Sequence, residues 1–228
     1  MYSEPNLGAG AAFRRHGEGA VAVVFVPGFL DDQRVWDRVI ALSRAAAVEF
    51  VQLDLAGCGE RRNEQGPLDF GRFVADVVSV IDALAKPVVL VGQSMGAPIA
   101  ELAAAAAGER VVGLMLLTPV PLAGTRLPPV AVAAFSSLAS DVRAQREVRR
   151  QLSVSLPAAD LERLATSGAR IRPEVVGALV TAGTTGQPMP RDQRLRRAGA
   201  AAAWRRLHSS PGRCSPKVSS RASPGHTV

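Results

Sequence analysis

The sequence predicts an α/β fold in which a mostly parallel β-sheet is flanked by helices. Four short apolar runs, typical of strands buried on both faces, alternate with segments of helical periodicity. The runs cover residues 21–26, 49–53, 87–91 and 111–117. Because strands that alternate with helices form βαβ units, we expect these strands to lie side by side and parallel.

The helices between these runs are predicted from their caps and their apolar spacing. The first lies near Arg34, after Asp31 or Asp32, either of which is a candidate N-cap. Its expected apolar face consists of Val35, Val39 and Leu42. The second is long, begins after Asp69, and has apolar residues at helical spacing, which are Phe70, Phe73, Val74, Val77, Ile81 and Leu84. A third, alanine-rich helix is predicted over residues 95–107.

Composition divides the chain into three segments. Residues 1–120 carry the alternating pattern and are the predicted core. Residues 121–186 contain four helical segments separated by Pro and Gly, which predict a helical cap. Residues 187–228 form a basic tail rich in Arg, Ser, Pro and Ala, which we expect to be disordered. The net charge is +7, and all of the excess lies from residue 191 onward, where nine basic residues face one acid.

The composition argues against several other classes of protein. No apolar run reaches the roughly 18 residues that cross a bilayer, and we recognise no signal peptide. Cys58 and Cys214 match neither a disulfide framework nor a metal-binding spacing. The three histidines are scattered and no phosphate-cradling glycine loop follows a strand, so we expect no metal and no organic cofactor. The sequence therefore predicts a cytoplasmic, enzyme-like domain.

The motif with the clearest chemistry is G-x-S-x-G, from Gly92 to Gly96, placed between the third apolar run and the third helix. This placement is typical of a sharp strand-to-helix turn that exposes a serine hydroxyl, here that of Ser94. We expect side chains at the two glycine positions to collide with neighbouring backbone. The N–H of Met95, at the helix N-terminus, is then a candidate donor to an oxyanion, and the N–H of Phe29 is a second. The alternative at both places is a plain turn.

Three segments of the chain resemble the α/β-hydrolase superfamily, in its esterase, lactonase and haloperoxidase-like branch. In chain order they are VFVPGFLDDQRVW, LDLAGCGER and VVLVGQSMGAPIAELAA. The resemblance is strong over residues 10–120 and looser over 121–184. It implies an eight-stranded, mostly parallel sheet with a helical cap inserted after the sixth strand. It also implies hydrolysis of an ester-like or lactone bond through an acyl-enzyme on Ser94.

The chain departs from the pattern of that superfamily at two positions. Pro27 and Cys58 stand where the superfamily usually has histidines. Neither difference removes a backbone donor. The resemblance also implies that Asp54 is a turn residue and not a catalytic acid.

The same resemblance implies a catalytic acid after the seventh strand and a histidine after the eighth. Two more strands with their helices need about 60 residues, whereas 44 follow residue 184, without a strand-like run. His208 has no strand before it, His226 stands in a Pro-Gly-His segment, and Asp192 is flanked by Arg and Gln. None of the three is predicted to complete a triad. His16 precedes the first apolar run and is expected on the surface.

We hypothesise that the segment from about Met189 is a replaced or out-of-frame ending of a truncated hydrolase. Residues 111–117 would then form an open apolar sheet edge, which promotes aggregation. A serine without its base is a poor nucleophile, so a non-catalytic, binding-only relative stands beside the hydrolase as an alternative.

A further alternative assigns the basic tail to nucleic acid or to a membrane surface. The tail has one aromatic residue, Trp204, and no amphipathic period, so nucleic acid is not the favoured partner. The predicted partner is a small acyl ester or lactone. The oligomeric state is left open.

Overall fold

Five strands form one sheet in residues 12–45 and 47–186, the part of the chain that the computed structural model describes. They are β1 (Phe13–His16), β2 (Val21–Val26), β3 (Val48–Leu53), β4 (Val88–Gln93) and β5 (Val111–Leu117). Their order across the sheet is β1-β3-β2-β4-β5. Strands β2 to β5 pair in parallel, and β1 runs antiparallel to β3. The predicted mostly parallel α/β sheet is therefore confirmed.

The chain divides into two units, Met1–Pro190 and Arg191–Val228, and every described residue belongs to the first. The resemblance implies eight strands, of which the five above lie in the described residues. The predicted basic tail, residues 187–228, lies outside the described residues. The expectation that it is disordered therefore stays a prediction.

Helices connect the strands and follow the last one. The α-helices are α1 (Asp37–Leu42), α2 (Phe70–Leu84), α3 (Gly96–Ala107), α4 (Pro129–Ser136), α5 (Val142–Leu152), α6 (Ala158–Gly168) and α7 (Pro173–Thr185). Short 3₁₀ helices cover Gln33–Trp36, Gly59–Arg61 and Gly108–Arg110. Asp69 caps α2 as predicted, with its carboxylate accepting the Arg72 N–H at 2.9 Å. None of the helices described is long and apolar enough to span a membrane.

Alternate residues of β2 pack on opposite faces of the sheet. Ala22, Val24 and Val26 belong to the large core formed with α2 and α3. Phe25 packs on the other face against Trp36, with the two ring centroids 4.8 Å apart. Burial on both faces explains why β2 reads as a continuous apolar run.

Strand β1 is missing from the sequence prediction because most of its residues are basic. It lies at the edge of the sheet, where charged residues are common, and Arg15 forms an ion pair with the buried Glu49. His16, expected on the surface, is half-buried at the end of this strand. Its Nε2 lies 2.7 Å from Oε1 of Gln52.

The first predicted helix begins as a 3₁₀ turn capped by Asp32, whose carboxylate accepts the Arg34 N–H at 2.9 Å. Its predicted apolar face is wrong in part, because Val39 and Leu42 are 51% and 71% exposed. The buried residues of the 3₁₀ turn are Gln33 and Trp36. The 3₁₀ turn has three residues per turn, so it changes which positions of the following α1 face inward.

The four helices predicted after β5 are α4 to α7, and they pack in pairs, α5 on α6 and α4 on α7. Arginine side chains tie them to the segment that follows β2. Arg149 donates to the Leu30 carbonyl oxygen at 2.7 Å and pairs with the Asp31 carboxylate at 2.7 Å. Arg34 donates to the Ser167 hydroxyl at 2.8 Å. These bonds hold the helices over the carboxyl end of the parallel strands.

Strand β5 is the opposite edge of the sheet formed by the described residues. Its exposed side chains are Val112, Leu114, Met115 and Leu117. Neighbouring positions of a strand point to opposite faces, so apolar surface is exposed on both sides of this edge. An edge strand with unpaired N–H and C=O groups and apolar side chains is a template for pairing with another chain.

We predict that lysine on this edge reduces aggregation. Val112→Lys and Met115→Lys place a charge on each face of β5, at side chains that are 53% and 54% exposed. A charge on an edge strand opposes edge-to-edge pairing, so light scattering at elevated concentration should fall several-fold. Leu42→Lys introduces the same charge on the exposed face of α1 and is the control. Equal aggregation of edge and control variants would contradict the prediction.

Candidate active site

A tight turn between β4 and α3 presents Ser94 at the carboxyl edge of the sheet. Strand β4 ends at Gln93 and α3 begins at Gly96. Ser94 has φ +53°, in the left-handed region that costs an L-residue about 1–2 kcal/mol. Its N–H donates to the Leu117 carbonyl oxygen at 2.9 Å, and its own carbonyl accepts the Val120 N–H at 3.2 Å. The turn is therefore held by the end of β5 and the loop that follows.

The two glycines of the motif allow this turn to form. A Cβ at Gly92 would lie 2.5 Å from the Gly96 carbonyl oxygen and 2.7 Å from Cα of Ala97. A Cβ at Gly96 would lie 2.5 Å from the carbonyl oxygens of both Val26 and Pro27. The collisions expected from the sequence are confirmed, and those at Gly96 involve backbone at the end of the neighbouring strand β2.

A cavity of about 130 Å³ adjoins Ser94, whose side chain is half-buried. Its wall is mainly apolar and includes the side chains of Phe29, Val120, Leu127, Phe135, Leu179 and Val180. The wall therefore combines the loops after β2 and β5 with helices α4 and α7. Phe29 and Phe135 meet edge to face with centroids 5.9 Å apart, which joins the core to the inserted helices.

Two backbone N–H groups beside this cavity lack an acceptor. Within the described residues, neither the N–H of Phe29 nor that of Met95 donates to a protein oxygen. Met95 precedes the first residue of α3, where a helix presents unpaired donors and partial positive charge. Gly28 lets the other loop approach, because a Cβ there would lie 2.6 Å from Oε1 and 3.0 Å from the carbonyl oxygen of Gln93.

A buried acid at the carboxyl end of β3 is committed to structure. Asp54 follows β3, and its carboxylate accepts the N–H and the side-chain amide of Gln33, each at 2.8 Å, and the N–H of Glu60 at 2.9 Å. Burial raises its pKa to about 6. These bonds join two loops, in agreement with the expectation that Asp54 is a turn residue. Burial also raises the pKa of the Cys58 thiol, so this cysteine is held as the unreactive thiol.

No candidate acid or base reaches the cavity from the described residues, since no Asp, Glu or His lines it there. His16 pairs with Phe50, and antiparallel β1 runs from Leu53 at the carboxyl end of β3 towards its amino end. His16 therefore lies away from the edge that carries Ser94. His208, His226 and Asp192 lie outside the described residues. The same residues hold no cluster of potential metal ligands.

Most of the cavity wall escapes the sequence analysis. The helix that carries Phe135 is predicted, but α4 is apolar on all sides, so no periodicity marks its inward face. On α7 the buried residues Val175, Val176 and Leu179 do follow helical spacing, a signal that the sequence analysis did not use. For Phe135 the only available signal is that a helical cap over a serine turn must cover it with some apolar side chains.

We predict opposite effects of the same substitution at two glycines. Gly96→Ala should lower the free energy of unfolding by about 2 kcal/mol, because the methyl group collides with backbone that cannot move aside. Gly177→Ala, inside α7 with no atom within 4 Å of the new Cβ, should raise it by about 1 kcal/mol, because alanine favours helix. Urea unfolding followed by circular dichroism measures both. A Gly96→Ala protein as stable as Gly177→Ala would refute the packing described.

Comparison with curated proteins finds relatives that act on acyl groups. The mitochondrial palmitoyl-protein thioesterase ABHD10 of Mus musculus is 28% identical over 114 residues, which are 49% of this chain and 37% of that protein. Its counterpart in Bos taurus is 28% identical over 115 residues, 49% of this chain and 36% of that protein. The chain thus spans little more than a third of the length of these relatives.

Comparison with solved structures confirms the fold. Bromoperoxidase from Bacillus anthracis superposes with a TM-score of 0.69 at 17% identity, over 82% of this chain and 75% of that one. An esterase from Exiguobacterium antarcticum superposes with a TM-score of 0.68 at 16% identity, over 82% and 74%.

A family model described as "Alpha/beta hydrolase family" matches residues 23–218. The match covers well over half of the chain and extends into the segment that composition separates as a basic tail. The chain therefore belongs to the alpha/beta hydrolase family.

Proposed function

We propose that the protein is a serine hydrolase that cleaves an ester or lactone bond through an acyl-enzyme on Ser94. The observation that carries the proposal is a serine in left-handed conformation beside an apolar cavity that also adjoins two unpaired N–H groups. A strained, pre-formed turn of this kind is typical of functional sites. The esterase and thioesterase names of the relatives support the same class of chemistry.

The proposed reaction has two steps. In the first, Oγ of Ser94 bonds to the acyl carbon, the bond to the alcohol oxygen breaks, and the alcohol leaves with the proton that the serine loses. In the second, water adds to the acyl carbon, the bond to Oγ breaks, and the carboxylic acid departs as Oγ regains a proton. A lactone follows the same course, with alcohol and acid joined in one product. Neither step needs a metal or an organic cofactor.

The N–H groups of Phe29 and Met95 are the proposed donors to the negative oxygen that develops in both steps. They lie in loops fixed by packing, at Gly28 and at the start of α3, so they need no reorganisation during the reaction. Loss of one such donor typically costs about 10²–10³ in rate.

The serine also needs a base. His16 lies away from Ser94 and is not the base. His208, His226 and Asp192 stay open as base and acid, and all three lie outside the described residues. General-base catalysis typically contributes about 10²–10⁴ in rate, so the identity of the base decides whether the protein turns over substrate.

A binding-only protein is the second candidate function. It is favoured by one observation, the absence of any Asp, Glu or His from the cavity wall formed by the described residues.

From the sequence we propose that the protein is located in the cytoplasm, whereas the mouse relative is named as a mitochondrial protein.

We predict that a fluorophosphonate probe labels the full-length protein at Ser94, because only an activated serine attacks the phosphorus. Ser94→Ala should abolish the label. Ser137→Ala, which removes an exposed hydroxyl at the end of α4, should leave it unchanged. Mass spectrometry of the labelled peptide identifies the site.

Two further variants test the base. A base at His208 or at His226 would show as labelling slowed by at least about 10² in the corresponding alanine variant, whereas unchanged labelling in both variants would exclude these two histidines. Absence of label on the wild-type protein would reject the hydrolase proposal in favour of binding only.

A further inference from the structure

We propose that the cavity beside Ser94 binds an uncharged acyl group of about six carbons, and that carbons beyond this length add no affinity. The inference rests on the proposed function, since it takes Ser94 as the point where the acyl group attaches. It sets this chain apart from the curated relatives, whose names specify a palmitoyl group.

The volume sets how many carbon atoms of the acyl group the wall can cover. The cavity measures about 130 Å³, and an engineered protein cavity of about 150 Å³ holds one benzene molecule. The space therefore fits roughly six carbon atoms, as a short chain or as one ring. A palmitoyl chain has sixteen carbons, so most of it would extend beyond the cavity and gain nothing from its wall.

The polarity of the wall excludes a charged acyl group. The described residues around the cavity include no charged side chain, and its two threonine hydroxyl groups already have acceptors. Oγ1 of Thr184 donates to the Val180 carbonyl oxygen at 2.5 Å, and Oγ1 of Thr125 donates to that of Gly183 at 3.4 Å. A buried carboxylate or ammonium on the acyl chain would have no partner, which is costly.

Substitutions at two wall residues should change the length of the acyl group that fits the cavity, one increasing it and the other decreasing it. Phe135 is the largest side chain that the inserted helices contribute, and it rests edge-on against Phe29. Its truncation enlarges the space. Gly183 of α7 also lines the cavity, and a Cβ there would meet only Cγ of Met95, at 3.9 Å. A larger side chain at 183 therefore grows into the cavity and shortens the acyl group that fits.

The experiment measures binding of straight-chain carboxylates from acetate to decanoate by calorimetry on the full-length protein. A carboxylate mimics the acid product, with its oxygen at the two N–H groups and its chain in the cavity. The dissociation constant should fall about fourfold for each added methylene that is buried, as far as about hexanoate, and then stay level. A dissociation constant that keeps falling through decanoate, or no binding of any acid, would overturn the inference.

Three variants test which part of the cavity determines the acid length at which the dissociation constant stops falling. Gly183→Leu should move the break to an acid shorter by at least two carbons, and Phe135→Ala should move it to a longer acid. Gly177→Leu places the same side chain on α7 in open space and should leave the series unchanged. If Gly183→Leu and Gly177→Leu behave alike, the cavity does not set the length.

Labelling of Ser94 separates this inference from the proposed function. A break near hexanoate in a protein that the fluorophosphonate probe does not label would support the size limit and reject the hydrolase. Labelled Ser94 with no break in the binding series would support the hydrolase and reject the size limit.

Discussion

The close approach of the β4–α3 turn to the end of β2 is the constraint on which the site depends. Backbone atoms of Val26 and Pro27 stand where a side chain at Gly96 would be, and helix α3 stands where one at Gly92 would be. With both positions reduced to glycine, the helix starts directly over the sheet and Ser94 adopts a left-handed conformation at its edge. The same packing brings the loop of Phe29 beside Met95, so the hydroxyl and both unpaired donors adjoin one cavity.

The inserted helices complete the site through contacts at some distance from Ser94. Arg149 of α5 holds Leu30 and Asp31, which follow Phe29 directly in the chain. The position of the Phe29 N–H thus depends on a cation from a helix that does not line the cavity. Removing one partner of a buried ion pair leaves an uncompensated charge, so this tie couples the cap to the geometry of the turn. Phe135 makes the complementary apolar contact.

Sequence patterns predict the centre of this molecule better than its margins. Strand β2 coincides with its predicted apolar run, and α2 begins directly after its predicted cap. Both are predictable because burial on two faces and helix capping leave local patterns in the sequence. Strand β1 is missed because an edge strand tolerates arginines that pair across to β3. The turn at Ser94 can be predicted from the sequence because its two glycines are required by the local geometry of the turn itself. The cavity wall beside α4 cannot be predicted in this way, because tertiary packing decides which side of an all-apolar helix faces inward.

Ser94 is held in a backbone conformation that side chains disfavour, and the relative stability of Ser94→Gly and Ser94→Ala checks this. At an ordinary position glycine is the less stable of the two, since it loses more conformational entropy on folding. At a left-handed position the order reverses, so we expect Ser94→Gly to unfold in urea with a free energy about 1 kcal/mol higher than that of Ser94→Ala. If Ser94→Ala is as stable as Ser94→Gly or more stable, the strained turn is not present in the folded protein.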